Sequence, residues 1–162
     1  PWAGAGSHPT LQRGAEVVLQ VLIGTAMLAF TIGIGAFAII ITARGLNSAG
    51  LTTGKPLSVL KHTFVITLVT SSLALVLILV MAIWALLFVA LSIFPSFEPA
   101  LYIAMISATT LGYGDVTLPS QWRLLAGFIA TDGFILFGLD TAFLFEVMRR
   151  LGEPGLVDIP NG

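Results

Sequence analysis

Three long apolar runs, separated by short polar segments, dominate the pattern along this chain. Residues 17–42 and 64–94 contain no charged side chain, and each run exceeds the roughly 20 residues that a helix needs to cross a bilayer. A third run, residues 122–149, is also apolar but carries acidic residues. The pattern predicts an all-α membrane protein with three transmembrane helices per chain.

The polar segments between these runs divide the chain into its predicted parts. These are an N-terminal segment (1–16), an additional transmembrane helix (17–43), a linker (44–63), a module with two spans (64–150) and a short tail (151–162). Within the linker, residues 47–55 are rich in Gly, Ser and Thr and predict a loop. Pro56 suits the first position of a helix, so the residues after it either form a short interfacial helix or extend the next span.

Composition places the chain in a membrane and limits its partners. Hydrophobic residues make up 57% of the chain and charged residues 9%, with a mean hydropathy of +1.02. The net charge of −1 gives no reason to expect nucleic acid as a partner, and the absence of cysteine excludes disulfides and thiolate metal sites. His8 and His62 fall in different polar segments, so no shared metal site is expected.

The distribution of basic residues predicts the orientation. Those that decide it lie in the linker or after the third span: Arg44, Lys55, Lys61, Arg149 and Arg150. Because basic segments stay on the cytoplasmic side, we expect an integral protein of the plasma membrane with an extracellular N-terminal segment and a cytoplasmic linker and tail.

Between the second and third spans lies a motif with its own chemistry, Thr-Thr-Leu-Gly-Tyr-Gly-Asp at residues 109–115. A dehydrated monovalent cation needs several oxygen ligands at similar distances, and backbone carbonyls can replace its water shell without binding it too tightly. Successive carbonyls line an axis only if the backbone alternates in handedness, and Gly112 and Gly114 adopt positive φ at little steric cost. The hydroxyl of Thr110 can add a further oxygen.

The motif and its surroundings resemble the pore-loop potassium channels. The resemblance extends over residues 64–150 and implies an outer helix (64–94), a re-entrant pore helix (98–109), a selectivity filter (110–114) and an inner helix (121–150). Leu111 stands where the filter of this family commonly has valine. The resemblance implies that K⁺ is transported and is bound by Thr110, Leu111, Gly112 and Tyr113 through their carbonyls and the Thr110 hydroxyl, without any cofactor.

One chain carries one filter strand, and a ring of carbonyls needs four, so the expected unit is a homotetramer in which each chain has three identical partners. Glu98 and Pro99 suit the start of the pore helix, whose C-terminal dipole would favour a cation. Related channels also hold the filter by a hydrogen bond between a pore-helix aromatic residue and the aspartate. Tyr102 and Asp115 occupy those positions, and Thr109 completes the expected filter support.

The inner helix carries the predicted gating positions. Gly133 and Gly138 match small positions of the family and either form a hinge or permit close helix packing. An aromatic and hydroxyl series at helical spacing aligns with cavity-lining positions: Phe134, Phe137, Thr141 and Phe145. A phenylalanine there could close the pore by dewetting.

Two acids within the inner helix, Asp132 and Asp140, are costly in a membrane and are candidates for function. Either they add negative potential near the cavity, or they bond hydroxyls of the second span such as Ser71 or Ser72, which is the interpretation we favour. Near the end of the helix, Glu146 is placed to pair with Arg149 or Arg150.

Other functions find less support in the sequence. Gly33-Ile34-Gly35 resembles part of a dinucleotide fingerprint, but it lies inside a span with no preceding strand, so helix packing explains it better. No nucleophile elbow or metal-ligand cluster indicates an enzyme, and no arginine ladder indicates a voltage sensor. We therefore expect a potassium-selective channel. The alternatives are a weakly selective cation channel, which Leu111 keeps open, and a non-conducting adaptor subunit.

Overall fold

The computed structural model describes residues 9–50 and 59–151, and every regular element in these residues is a helix. The four helices are α1 (Pro9–Ser48), α2 (Val59–Ala90), α3 (Phe97–Ala108) and α4 (Arg123–Leu151). Three of them, α1, α2 and α4, are long and apolar enough to cross a membrane, whereas α3 is too short to do so. The predicted all-α architecture with three spanning helices and a short helix between the last two is confirmed.

Several predicted boundaries move. α1 already begins at Pro9, inside the predicted N-terminal segment, and continues to Ser48 in the predicted linker. α2 covers Val59–Ala90 instead of residues 64–94, and α4 begins at Arg123. Residues 1–8, 51–58 and 152–162 lie outside the described residues, and with them half of the N-terminal segment, Pro56 itself and nearly all of the tail. Residues 59–63 belong to α2, as expected if the residues after Pro56 extend the next span.

The early end of α2 has a local cause that hydropathy does not reveal. Ser92 adopts a left-handed φ of 55°, its amide donates to the carbonyl of Val89, and the amide of Ile93 donates to the carbonyl of Phe88. These two bonds form a Schellman motif, which ends a helix by satisfying its last carbonyls. The residues after Ala90 remain apolar, so the apolar run extends beyond the helix.

α1 lies along α4, and the two helices run in the same direction. The side chain of Gln20 accepts a hydrogen bond from the amide of Leu124 at 3.1 Å, and eleven residues further along α1 the Thr31 hydroxyl contacts Asp132. Gly24 lies between these two contacts and faces Phe128, and Gly35 lies beyond them and faces Leu136. A Cβ added at either glycine would come under 3.0 Å from the opposing side chain. Small residues thus allow close approach of the first helix to the last.

The core lies where α2, α3 and α4 meet. Trp84 and Phe88 of α2 are fully buried, with ring centroids 6.3 Å apart. They pack with Ala104 of α3 and with Leu125 and Ile129 of α4. This cluster positions the short helix α3 and the segment that follows it.

A second, smaller cluster joins the opposite ends of the long helices and includes Leu46, Val69 and Val147. Beside it, His62 Nε2 lies 2.9 Å from the carbonyl oxygen of Leu151, linking the start of α2 to the end of α4. α2 therefore runs antiparallel to α4.

The predicted pairing of Glu146 is confirmed near the end of α4. Its carboxylate accepts hydrogen bonds from both Arg149 and Arg150, with 2.8 Å separating Arg149 Nε from Glu146 Oε2. These pairs lie three and four residues apart, the spacing that brings side chains together on one helix face.

Candidate ion-binding site

The site begins with the short helix α3, which Ser96 precedes in an extended conformation. Glu98 lies in its first turn, where a negative charge interacts favourably with the helix dipole, and Pro99 needs no intrahelical partner at this position. The buried residues Ala100, Ile103 and Ala104 fix the helix against α2 and α4. α3 ends at Ala108, and the segment after it is irregular.

A Schellman motif also ends α3 and leads directly into the motif 109–115. The amide of Thr110 donates to the carbonyl of Ser107 at 3.0 Å, and the amide of Leu111 donates to the carbonyl of Ile106 at 2.9 Å. Thr110 occupies the left-handed position with φ 57°. The amide of Gly112 also reaches the Ile106 carbonyl, at 3.1 Å, so the end of α3 holds the first half of the motif.

The backbone of the motif alternates in handedness. φ is +57° at Thr110, +48° at Gly112 and +80° at Gly114, whereas Leu111 and Tyr113 between them do not have positive φ. The two glycines thus adopt the conformation that the motif predicts. Thr110 was not expected to share it, and a β-branched residue there costs about 1–3 kcal/mol of backbone strain.

The hydrogen bond expected between Tyr102 and Asp115 is present. The Tyr102 hydroxyl donates to Asp115 Oδ2 at 2.7 Å and so connects α3 with the residue that follows Gly114. This bond lowers the pKa of the Asp115 carboxyl below its usual 3.8 and raises the pKa of the Tyr102 phenol above its usual 10.0. At the other end of the motif, the Thr109 hydroxyl donates to the Met105 carbonyl at 2.8 Å.

Gly133 lies directly behind the end of α3. A Cβ added at Gly133 would come under 3.0 Å from three backbone atoms of Ala108. This contact supports the packing alternative for Gly133, because α4 could not approach the end of α3 so closely with any side chain there. At Gly138 a Cβ would meet nothing within 4 Å in the chain.

The aromatic series of α4 lies on the face that the chain itself leaves uncovered. Phe134 is 75% exposed, Phe145 70% and Phe137 39%, and Thr141 is also exposed. The Thr141 hydroxyl donates to the Phe137 carbonyl at 2.7 Å. Because Asp132, Gly133 and Leu136 are buried, α4 packs with one face and presents these aromatic residues on another.

The structure corrects the partners expected for Asp132. Its carboxyl is buried and contacts Thr31 Oγ1 of α1 and Trp84 Nε1 of α2, each 2.7 Å from Oδ2. Ser72 instead donates to the Val69 carbonyl within its own helix, at 2.7 Å. The structural interpretation holds for Asp132, but its partners are different residues and one lies on the first helix. Asp140 is half-buried and has no hydrogen bond within the described residues.

Gln20 and Thr31 were missed by sequence reasoning, although a signal was present. Together with Gly24 and Gly35 they are spaced four, seven and four residues apart, which places them on one face of a helix. Polar and small residues that share a face of an apolar span indicate where another helix packs.

Comparison with known proteins finds a family model that matches part of the chain. Residues 73–150 match the family model described as an ion channel, a range that takes in most of α2, all of α3, the motif and nearly all of α4. No curated protein and no solved structure matched the chain.

The match and the fold point to the same class of protein. Residues 73–150 are similar to an ion channel domain, and the three long helices are apolar enough to make this an integral membrane protein. Among the described residues, no group of three or more His, Cys, Asp or Glu could hold a metal ion.

Proposed function

We propose that the chain is one subunit of a homotetrameric, potassium-selective channel that conducts K⁺ passively. The alternating backbone of the motif carries the proposal: left-handed φ at Thr110, Gly112 and Gly114 directly follows the end of a short helix between two spanning helices. An alternating backbone can turn successive carbonyl oxygens toward one axis, and irregular backbone is tolerated at membrane depth only where it lines a cavity or is buried.

In this proposal, K⁺ is bound by the carbonyls of residues 110–113 and by the Thr110 hydroxyl. Tyr102, Thr109 and Asp115 support the filter from α3 through the bonds described above. The exposed residues Phe134, Phe137, Thr141 and Phe145 line the central cavity, and Gly133 and Gly138 are the candidate hinges between filter and gate.

The need for four copies follows from geometry and from surface chemistry. A single strand offers an ion oxygens from one side only, so a closed ring requires three more identical subunits. Around the motif, Leu111 is 54% exposed, Tyr113 69% and Met105 42% in the single chain. Neighbouring subunits would cover these groups, while lipid covers the apolar outer faces of α1 and α2.

The charges support an orientation in the plasma membrane. Lys61, Arg149 and Arg150 lie at the end of the bundle opposite the filter, and Glu98 and Asp115 lie at the filter end. Under the positive-inside rule the filter faces outward, the N-terminus is extracellular and the C-terminus is cytoplasmic.

A weakly selective cation channel is the second candidate, and Leu111 is the residue that favours it. A γ-branched side chain at this position packs differently behind the filter than the valine of typical potassium channels. The carbonyl of Leu111 remains available to an ion, so conduction would persist while discrimination between K⁺ and Na⁺ fell.

The test is the reversal potential of the purified protein in planar bilayers with K⁺ on one side and Na⁺ on the other. A value near the K⁺ equilibrium potential is expected, and a value near zero supports the weakly selective channel. Silence leaves a closed gate and an adaptor subunit to be separated. Gly112→Ala should abolish selective current, because alanine disfavours φ +48°.

Gly45→Ala is the matched control for that variant. A Cβ would meet nothing within 4 Å at either Gly45 or Gly112 in the chain, but only Gly112 has positive φ. Unchanged K⁺ current in Gly112→Ala would contradict the filter assignment. Counting photobleaching steps of single labelled particles gives the subunit number, with four expected.

A further inference from the structure

The carboxyl of Asp132 connects three helices inside the membrane-spanning bundle. The residue is 1% exposed, and its Oδ2 lies 2.7 Å from both Thr31 Oγ1 of α1 and Trp84 Nε1 of α2. Its other oxygen, Oδ1, is buried and has no hydrogen-bond partner. Within the described residues, no Lys, Arg or His comes within ion-pair distance of this carboxyl.

The available hydrogens constrain the charge of this group. The Thr31 hydroxyl carries one hydrogen, yet its oxygen lies 2.7 Å from Asp132 Oδ2 and 2.8 Å from the Met27 carbonyl, both of which are acceptors if the carboxyl is ionised. The indole N–H of Trp84 is a donor only. An ionised carboxyl would therefore share one hydroxyl hydrogen with a carbonyl and leave Oδ1 with no donor at all.

A buried carboxylate with a bare oxygen and no cation is expensive in a bilayer. A neutral carboxyl removes the conflict. Oδ2–H donates to Thr31 Oγ1, the Thr31 hydroxyl donates to the Met27 carbonyl, and the Trp84 N–H donates to Oδ2. Only an acid oxygen that both donates and accepts satisfies all three short contacts at once. Oδ1 then remains as an uncharged carbonyl oxygen, which is far cheaper to bury than a charge.

We propose that Asp132 is held in its protonated form, with the proton on Oδ2, and that this proton binds the first helix to the channel domain. The proton belongs on Oδ2 because Oδ1 has no acceptor near it. Asp132 is thus a positioning residue: it orients α4 through Thr31 and Trp84 and does not face the proposed ion path.

The location of this bond gives it a role in holding the filter. The next residue, Gly133, packs against the backbone of Ala108 at the end of α3. One turn of α4 is therefore held by α1 and α2 through Asp132 and by α3 through Gly133. Any bend of α4 at Gly133 has to move the Asp132 carboxyl away from Thr31 and Trp84. An apolar span offers few other hydrogen-bond partners for this carboxyl.

Infrared spectroscopy of the protein labelled with ¹³C at aspartate carboxyl carbons tests the proposal, because protonated and ionised carboxyl groups absorb in separate regions and the label identifies aspartate. The expected spectrum contains a label-sensitive band of a protonated aspartate that remains in Asp140→Asn and disappears when Asp132→Asn is added to that variant. Absence of such a band from the Asp140→Asn protein, or its persistence in the double variant, overturns the proposal.

Thr31 variants keep the test decisive if Asp132→Asn does not fold. In the Asp140→Asn background, Thr31→Ser retains the acceptor hydroxyl and should leave the band in place, whereas Thr31→Val removes it and should shift the band. If Thr31→Val leaves the position of the band unchanged, the proposed hydrogen bond from the Asp132 carboxyl to Thr31 is wrong. The spectrum requires no current, so it stands apart from the proposed potassium selectivity.

Discussion

The Tyr102 hydroxyl and the Asp115 carboxylate lie 2.7 Å apart, joining α3 to the residue that follows Gly114. They are thirteen residues apart in sequence, and the irregular segment 109–114 lies between them, so their hydrogen bond closes a loop that contains this segment. Thermal motion of that segment is therefore restrained at both ends, by the end of α3 and by this bond.

Removing the Tyr102 hydroxyl should loosen the proposed filter. We expect Tyr102→Phe to lower the K⁺ to Na⁺ permeability ratio, because the proposed filter loses the bond that fixes its outer end. The reversal potential under mixed K⁺ and Na⁺ conditions measures this ratio. Tyr113→Phe is the matched control, since the Tyr113 hydroxyl makes no hydrogen bond within the described chain. An equal loss of selectivity in both variants would contradict the role given to Tyr102.

The same bond predicts how selectivity depends on external pH. The pKa of Asp115 is lowered by the Tyr102 hydrogen bond, so its stabilising contribution is complete above the usual value of 3.8 and is lost as pH falls through the lowered value. The pKa of Tyr102 is raised, so its contribution is complete below 10.0 and is lost as pH rises through the raised value. Selectivity should be constant between these limits.

Tyr102→Phe should move the acid limit upward, because Asp115 loses the bond that keeps its pKa low. Reversal potentials recorded over a series of external pH values, with wild type and variant compared, give the two midpoints. Identical acid midpoints would show that the bond does not form in the assembled channel.

Gly133 should tolerate no side chain. Alanine at this position would place Cβ against the backbone of Ala108, which cannot move aside as a flexible side chain could. We expect Gly133→Ala to destabilise the protein by about 1–3 kcal/mol, the usual cost of overpacking, in spite of alanine's better helix propensity. Gly138→Ala, with no neighbour within 4 Å in the chain, is the control. Thermal denaturation in detergent measures both, and equal midpoints would argue against the contact.

Ser92 and Thr110 offer a matched pair of left-handed residues. Both occupy the left-handed position of a Schellman motif, with φ of 55° and 57°, and glycine relieves the strain at either one. We expect Ser92→Gly to stabilise the fold by about 1 kcal/mol and to leave selectivity unchanged. Thr110→Gly should relieve the same strain but lower selectivity, because the proposed hydroxyl ligand is lost. Equal selectivity in the two variants would remove Thr110 from the ion site.

Close packing of α1 on α4 can be tested with glycines of a single helix. Gly24→Val would direct its side chain into the ring of Phe128, whereas Gly33→Val would meet nothing within 4 Å. We expect Gly24→Val to lower the thermal midpoint in detergent and Gly33→Val to leave it unchanged or raise it, since valine forms helix better than glycine. A lower thermal midpoint for Gly33→Val than for Gly24→Val would indicate that α4 packs against the other face of α1.

Parts of the fold and site followed from local sequence. The three spans came from the length of the apolar runs, and the φ values of Gly112 and Gly114 came from glycine's conformational freedom. The end of α2 was placed wrongly, because Ser92 terminates the helix inside an apolar run and nothing in its residue type announces a left-handed conformation.

By itself the sequence determined the number of helices long enough to span a membrane, the position of the glycine-containing motif 109–115 between the last two, and the residues at its two ends. These features depend on residues near each other in the chain. Only the tertiary structure decided that α1 lies parallel to α4, that Thr31 and Trp84 share the carboxyl of Asp132, and that Gly133 closes on Ala108. Each of these contacts joins residues far apart in sequence, and in an apolar bundle many pairings satisfy the same hydropathy pattern. Packing and hydrogen-bond geometry select one of them.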